Sequence, residues 1–273
     1  MTHEVIFDGA HLRAILHPGA TKQLMVTFDY RQNGKNDFTA TRHSTHFARM
    51  QFAQLSIKTR ANDWFINPDT AALESALTRI GPQYRRVHLL GYSMGGYGAL
   101  RFARALGAVS AVLISPQVSI LPELVPFDAR YRTEGRGIDP VLGDLTERAH
   151  PTLAGLILLD PFARADLQHA HMIQHLYPAL AVVRLPFGGH PASLVLRDAG
   201  KTWTINRAAV LAQAKSRAIT QSHREGRRSS AGYWLRMALY CENRRPALAA
   251  HARAQYAALG GFGGPADESD ESD

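Results

Sequence analysis

A serine flanked by glycines is the feature of this sequence most able to do chemistry. Residues 87–98 read Val-His-Leu-Leu-Gly-Tyr-Ser-Met-Gly-Gly-Tyr-Gly, with Gly91 two positions before Ser93 and Gly95 two positions after it. On a sharp turn from a strand into a helix, larger side chains at those two positions would collide. Such a turn projects the serine hydroxyl into open space, and the helix directs its N-terminal N–H groups there. The pattern predicts a nucleophile at Ser93, with a glycine-rich turn without chemistry as the alternative.

A nucleophilic serine needs a base that takes its proton and an acid that orients the base. Residues 156–161 are an apolar run that ends in Asp160 and a proline, as at the end of a strand. Residues 180–187 form the next such run, and His190 follows in a glycine loop. We therefore predict Asp160 as the acid and His190 as the base. A strand-end cap and a solvated loop histidine are the alternatives.

The stretch 116–150 breaks the apolar periodicity with prolines and glycines, which indicates an insertion between elements. Asp139 and Asp144 in this stretch are alternatives for the acid. The stretch also contains arginines that we expect at the surface, with an anionic substrate group as their alternative partner: Arg130, Arg132 and Arg136.

The glycine–serine motif and the order serine, acid, histidine resemble the α/β-hydrolase superfamily over most of residues 20–200. The decamer 91–100 is similar to the nucleophile turn of bacterial serine esterases related to esterase D, and of acyltransferases with the same fold. The resemblance implies Ser93 as nucleophile, His190 as general base and Asp160 as its orienting acid. It also implies that no cofactor and no metal is needed.

The resemblance further implies two backbone N–H donors for the oxyanion of the reaction. Met94, which follows the nucleophile, would supply one. The other would lie in the loop after the early strand 24–28, at Tyr30 or its neighbour Arg31. Many relatives carry His-Gly where this chain has Asp29 followed by Tyr30.

These parts imply a serine hydrolase that cleaves a carboxylic ester or thioester through an acyl-enzyme on Ser93. The expected class is a carboxylesterase or deacylase acting on a small-molecule or acylated substrate. An acyltransferase with the same triad is one alternative, because an alcohol can replace water as the acceptor. A non-catalytic interaction module with a helical binding tail is an alternative from a different class.

Strands that alternate with helices predict an α/β fold with a mostly parallel central sheet and helices on both faces. We expect residues 1–200 to form the α/β-hydrolase domain, with a short cap insertion at 116–150. Residues 201–259 are predicted to form a helical C-terminal segment, and 260–273 a disordered acidic tail. The C-terminal helices are expected to pack on the domain edge, with a second subunit or a protein partner as alternatives.

The charge of the chain is uneven along its length. Of its 23 acidic residues, five lie in the last seven positions, which leaves 18 against 31 lysines and arginines. We expect a solvated basic surface, and nucleic acid, an anionic membrane surface or an acidic substrate are alternative partners. Because the sequence carries no zinc-finger, helix-turn-helix or RNA-binding aromatic motif, we do not expect nucleic-acid binding.

Cysteine and histidine usage also bounds the function. The single Cys241 excludes an intramolecular disulfide. With no secretory pattern at the start and no apolar run of membrane-spanning length, we expect a cytoplasmic protein. His171 and His175 have metal-ligand spacing, but without a flanking glutamate we expect solvated helix histidines. We expect His88 to be packed inside its strand.

Overall fold

The computed structural model describes residues 3–211 and 215–261, and its framework is a single eight-stranded sheet. The strands run as follows in the chain: β1 (Glu4–Asp8), β2 (Leu12–His17), β3 (Gln23–Phe28), β4 (Ala53–Thr59), β5 (Arg86–Tyr92), β6 (Ser110–Ile114), β7 (Ala154–Leu159) and β8 (Leu180–Arg184). Their order across the sheet is β1-β2-β4-β3-β5-β6-β7-β8. β1 and β2 form an antiparallel hairpin, and β2 is antiparallel to β4. All other neighbours are parallel, which confirms the predicted mostly parallel sheet.

The central strands are apolar because both faces of the sheet are covered. In β5, Leu89 faces one core cluster and Leu90 faces the other. In β6, Leu113 and Val112 divide in the same way. This alternation with a period of two places layers of side chains above and below the sheet.

The helices follow in chain order: α1 (Thr45–Arg49), α2 (Thr70–Ile80), α3 (Met94–Leu106), α4 (Arg132–Gly135), α5 (Pro140–Gly143), α6 (Arg164–Leu176), α7 (Leu194–Asp198), α8 (Trp203–Ala209), α9 (Arg217–Gly226), α10 (Ala231–Cys241) and α11 (Pro246–Ala258). Short 3₁₀ turns occupy Gly81–Gln83 and Thr146–Arg148. Apolar residues of α2, α3 and α6 join one core cluster, and those of α7, α8 and α9 join the other. Helices therefore cover both faces, as predicted.

The insertion between β6 and β7 forms a short cap that contains α4 and α5. Two side chains of α3 bind it. The Tyr97 hydroxyl on α3 donates to the carbonyl of Gly143 at 3.0 Å. The Arg104 guanidinium, also on α3, donates to the carbonyls of Glu147 and Ala149. The cap is thus held by the helix that starts at the serine turn.

The C-terminal helices α10 and α11 form an antiparallel hairpin, whose turn is closed by the amides of Arg244 and Arg245 donating to the carbonyl of Cys241. On α10, Arg236 Nε donates to the carbonyl of Phe187 at 2.9 Å. Phe187 lies in the loop after β8, so α10 contacts the loop that carries His190. Whether these helices bind a partner stays a prediction.

Within 3–211 and 215–261, no helix combines the length and the apolar character that crossing a bilayer requires. The cytoplasmic location stays a prediction. Of the expected acidic tail, residues 262–273 lie outside the described residues.

Candidate active site

Ser93 is the single residue between the end of β5 and the start of α3. Its backbone has φ 47° and ψ −117°, a region that residues with a side chain rarely adopt. The turn is fixed because the Ser93 amide donates to the carbonyl of Ile114 in β6 at 2.8 Å. The residue is 7% exposed. The strained turn therefore holds the hydroxyl at the carboxyl end of the sheet, with little exposure to solvent.

The two glycines of the motif are required by close backbone contacts. A Cβ at Gly91 would lie 2.3 Å from the carbonyl oxygen of Gly95. A Cβ at Gly95 would lie 2.8 Å from the carbonyl oxygen of Asp29, in the segment after β3. The same spacing that suggested chemistry thus has a direct steric cause.

Ser93 and His190 meet at hydrogen-bonding distance, and a carboxylate lies on the far side of the imidazole. The Ser93 hydroxyl is 3.0 Å from Nε2 of His190. Nδ1 of His190 is 2.8 Å from Oδ2 of Asp166, in the first turn of α6. With Nδ1–H donating to the carboxylate, Nε2 is free to accept the serine proton. This arrangement can activate a hydroxyl as a nucleophile.

Asp160 does not occupy the position that we predicted for it. Its Oδ1 accepts the amides of Phe162 and Phe187 at 3.0 and 3.1 Å, and its Oδ2 accepts the amide of Gly189 at 3.1 Å. The loop after β8 folds back over Asp160 with its backbone N–H groups, so the imidazole of His190 points to α6 instead. Asp160 thus anchors the histidine loop, and Asp166 is the carboxylate beside the ring.

The two alternative acids in the cap, Asp139 and Asp144, accept hydrogen bonds from backbone amides of their own segment. Asp139 accepts the amides of Val141 and Leu142 at the start of α5. Asp144 accepts the amide of Thr146 at 2.8 Å. Neither carboxylate contacts His190 in the described part of the chain.

The two aspartates near the loop differ in acidity. Burial tends to raise the pKa of Asp166, but the hydrogen bond from His190 and the charges of His190 and Arg130 outweigh it and lower the pKa. Burial raises the pKa of Asp160, and its three backbone donors offset this only in part. Of the two carboxyls, Asp166 is thus the one that the surroundings stabilise as an anion.

Arg130 of the cap holds Asp166 from the other side. Its Nη2 lies 2.8 Å from Oδ1 of Asp166 and 2.8 Å from Oδ2 of Asp128. Its Nη1 is 3.2 Å from Nδ1 of His190. An arginine has only donors, so with Nδ1 donating to Asp166 that last contact is a close approach of two N–H groups. Arg132 and Arg136 are exposed, whereas Arg130 joins two carboxylates.

Asp128 is fixed in turn by a buried histidine. The amide of Val118 donates to Nδ1 of His169 at 3.2 Å, so the proton of this imidazole is on Nε2. Nε2 then donates to Oδ2 of Asp128 at 2.9 Å. Hydrogen bonds from His169 and Arg130 overcome the effect of burial and hold the pKa of Asp128 well below its usual range. Asp128 and Arg130 of the cap thus form one charged network with Asp166 and His169 of α6.

The serine hydroxyl has a second neighbour with a defined orientation. Trp64 Nε1 donates to Oε1 of Gln117 at 3.2 Å, which turns the amide nitrogen of Gln117 toward the site. That nitrogen lies 3.3 Å from the Ser93 hydroxyl and 3.1 Å from the carbonyl of Ser115. Ser93 therefore accepts from Gln117 while it donates to His190.

Met94 and Tyr30, the predicted oxyanion donors, lie at the start of α3 and two residues after β3, and their role as donors stays a prediction. Met94 is the first residue of α3, where amides have no acceptor within the helix. Tyr30 follows Asp29, whose carbonyl packs on Gly95 in the first turn of that helix. The Asp29 carboxylate anchors the segment, because Lys58 Nζ donates to it at 2.9 Å and Lys35 Nζ lies 3.1 Å away. The side chain of Arg31, the alternative donor residue, binds Glu134 of α4 at 2.9 Å.

The histidines with metal-ligand spacing, His171 and His175, are exposed on α6. In the part of the chain that the structure describes, no cluster of histidine, cysteine, aspartate or glutamate has the geometry to hold a metal ion.

Four residues at the site were missed or differently assigned from the sequence: Asp166, Arg130, Gln117 and Tyr131, whose hydroxyl is 3.2 Å from Nε2 of His190. The only local signal for Asp166 is its place in the first turn of a helix that lies between the serine and the histidine in the chain. The other three lie between β6 and α4, where no periodic pattern was available.

No protein-family model matches this sequence, and no curated protein matches it. Several solved structures do match this chain. A variant of the capsule O-acetyltransferase of Neisseria meningitidis serogroup A, in complex with CoA, matches with 13% identity and a TM-score of 0.50 over 80% of this chain and 91% of that chain. A sugar hydrolase of Lactococcus lactis has 12% identity and a TM-score of 0.49 over 81% and 100%. A thermostable carboxylesterase from a metagenomic library has 14% identity and a TM-score of 0.45, over 82% of this chain and 89% of that chain.

The chain has the α/β-hydrolase fold, as the sheet order, the strained serine turn and the likeness to solved structures agree. The finer resemblance to esterase D stays a prediction.

Proposed function

We propose that the protein is a serine hydrolase that cleaves a carboxylic ester or thioester through an acyl-enzyme on Ser93. The observation that carries the proposal is the chain of hydrogen bonds from Ser93 through His190 to Asp166, at 3.0 and 2.8 Å. His190 takes the hydroxyl proton as Ser93 attacks the carbonyl carbon, and Asp166 stabilises the imidazolium that forms. Amides at Met94 and Tyr30 are the proposed donors to the oxyanion.

The strained backbone of Ser93 supports the same proposal. A non-glycine residue with positive φ costs of order 1–3 kcal/mol and persists where the surroundings enforce it. Here the surroundings are Gly91, Gly95 and the carbonyl of Ile114. Strain of this kind is expected where the position of one hydroxyl matters more than local stability.

The acceptor of the acyl group is the second part of the proposal. We propose water, which makes the protein a carboxylesterase or deacylase. One solved structure with a similar fold is an O-acetyltransferase, and the same fold serves many functions. Transfer to an alcohol is therefore an outcome that the experiment must be able to detect.

The experiment combines covalent labelling with product analysis. A fluorophosphonate probe is expected to label the protein once, at Ser93, and the Ser93→Ala variant is expected to remain unlabelled while it melts at the same temperature. A set of p-nitrophenyl esters of graded acyl length then gives the preferred acyl group. Repeating the best reaction with an added alcohol separates free acid, the product of hydrolysis, from a new ester. A folded wild-type protein that neither reacts with the probe nor turns over any ester would refute the proposal.

A further inference from the structure

The cap places the phenol of Tyr131 next to Nε2 of His190, the atom that takes the serine proton in the proposed reaction. The Tyr131 hydroxyl lies 3.2 Å from Nε2 of His190, the same nitrogen that the Ser93 hydroxyl approaches to 3.0 Å. Nε2 has one lone pair, so it can accept fully from only one of these two hydroxyls at a time. When Ser93 donates to Nε2, the proton of Tyr131 is available to another acceptor.

The ring of Tyr131 is held firmly in this position. It packs against the indole of Trp64, with ring centroids 4.8 Å apart, and only 8% of the residue is exposed. The guanidinium of Arg130 lies 5.3 Å from the ring centroid, and that of Arg31 lies 6.0 Å from it. Both arginines are themselves bound to carboxylates, Arg130 to Asp166 and Arg31 to Glu134. A side chain so fixed is a defined part of the site.

Burial raises the pKa of the Tyr131 phenol, more than the neighbouring Arg130 lowers it. The phenol therefore keeps its proton over the range in which an enzyme of this kind works. It can serve as a hydrogen-bond donor without becoming a base that competes with His190.

We propose that Tyr131 is a catalytic residue whose hydroxyl donates a hydrogen bond to the leaving-group oxygen while that oxygen takes the proton from Nε2 of His190. The inference rests on the proposed function and names one further residue in it. In acylation the bond from Ser93 Oγ to the carbonyl carbon forms, and the serine proton moves to Nε2. The bond from that carbon to the leaving oxygen then breaks, and the proton moves from Nε2 to the leaving oxygen. Tyr131 keeps its own proton throughout.

The leaving group decides how much this hydrogen bond contributes. A nitrophenolate leaves as a stable anion and gains little from a donor, whereas an alkoxide needs one as its charge develops. The ratio of kcat/KM for an ethyl ester to kcat/KM for a p-nitrophenyl ester of the same acid therefore reports on Tyr131. Because kcat/KM covers only the steps up to acylation, the later release of the acyl group does not affect the ratio.

The test compares Tyr131→Phe with the wild-type protein. The phenylalanine keeps the contacts of the ring with Trp64 and Arg130 and removes only the hydroxyl. We expect kcat/KM for the ethyl ester to fall about tenfold, the value of one good hydrogen bond, and kcat/KM for the p-nitrophenyl ester to change by less than about twofold. The matched control is Tyr97→Phe, which removes the hydroxyl that donates to Gly143 of the same cap. Its ethyl-to-nitrophenyl ratio should equal that of the wild type.

A ratio that is unchanged in Tyr131→Phe would overturn the inference, whether both esters lose rate equally or neither does. An equal loss would mean that Tyr131 only shapes the cap, as Tyr97 does. Failure of the proposed function is distinguishable, because the wild type would then turn over neither ester and Ser93 would not react with the fluorophosphonate. Complete labelling of Tyr131→Phe by that probe verifies that the variant is folded with an intact nucleophile.

Discussion

Oδ2 of Asp166 lies 2.8 Å from Nδ1 of His190, and it reaches the imidazole from the first turn of α6 rather than from the end of β7. The residue that directly follows β7, Asp160, binds the backbone of the histidine loop at Phe187 and Gly189. Two aspartates six positions apart thus divide two tasks, one holding the ring and the other holding the loop that carries it.

Replacing Asp166 by asparagine is expected to remove most of the activity. The carboxamide can present its NH₂ group to Nδ1, which favours the tautomer with the proton on Nε2 and leaves Ser93 without an acceptor. Loss of a triad carboxylate in this way lowers kcat by about 10⁴-fold in a comparable site, and we expect about 10³- to 10⁴-fold here. The measurement is kcat on the best p-nitrophenyl ester, with circular dichroism to verify folding.

Asp160→Asn is the matched control for that variant and a prediction in its own right. One oxygen of the asparagine can still accept the amides of Phe162 and Phe187, but its NH₂ group would face the amide of Gly189. We expect a loss of about 1–3 kcal/mol in the free energy of unfolding, the cost of an unsatisfied buried donor. The drop in kcat should stay far smaller than that of Asp166→Asn. Equal losses of activity in the two variants would contradict the division of tasks.

Apolar periodicity was sufficient to predict most of the sheet, because burial on two faces leaves a direct record in strands such as 110–114. The serine turn was predictable for a similar reason, since Gly91 is required by a backbone contact with Gly95, only four residues on. The position of the carboxylate beside His190 was not predictable. It depends on how α6 packs and on how the loop after β8 folds back, and Asp160 and Asp166 look alike in a local pattern.

The contacts of the cap could not be read from local sequence at all. Arg130 and Tyr131 meet His190 across about 60 positions of the chain. Their segment has prolines and glycines in place of a period, so no face could be assigned to either side chain. Arginines near a basic surface are expected to be solvated, and the two buried aspartates that bind Arg130 became visible only in three dimensions.

The steric need for glycine in the serine turn gives a prediction about stability. In Gly91→Ala the new methyl would lie 2.3 Å from a backbone oxygen of Gly95, which cannot move without displacing Ser93. Overpacking of this kind costs about 1–3 kcal/mol. Gly137→Ala, in the cap, is the control, because a Cβ there meets nothing within 4 Å. Urea unfolding of both variants should show the loss only in the first, and similar midpoints would argue against a rigid turn.

Arg130→Gln is expected to move the acidic limb of the pH–activity profile to higher pH. Asp166 stabilises the imidazolium that forms on His190 only as an anion, and the charge of Arg130 helps to keep the pKa of this carboxyl low. Without the guanidinium the pKa of Asp166 rises, so the carboxylate is protonated earlier as the pH falls. The measurement is kcat as a function of pH. The control is Arg132→Gln, at an exposed neighbouring position, which should leave the acidic limb of the profile unchanged. A shift of equal size in this control would indicate a general effect of surface charge.

His88 is buried inside β5, as the sequence predicted, and it makes stability depend on pH. Its Nδ1 is 2.7 Å from the Ser110 hydroxyl and its Nε2 is 3.2 Å from Oε1 of Gln23, so the neutral ring can accept at Nδ1 and donate at Nε2. Burial, aided by the charge of Arg86, lowers the pKa of His88 from 6.5 to about 4.

Because the folded protein binds this proton less readily than the unfolded chain, the stability that neutral His88 contributes is complete above pH 6.5 and decreases as the pH falls toward 4. From pH 7 to pH 5 the decrease is about 2 kcal/mol. His88→Gln should lower the stability at pH 7 but lose less of it on going to pH 5, as urea unfolding at both pH values would measure. His171→Gln, on the exposed face of α6, should keep the wild-type difference. If His88→Gln loses as much stability between the two pH values as the wild type, the buried imidazole is not the group that titrates.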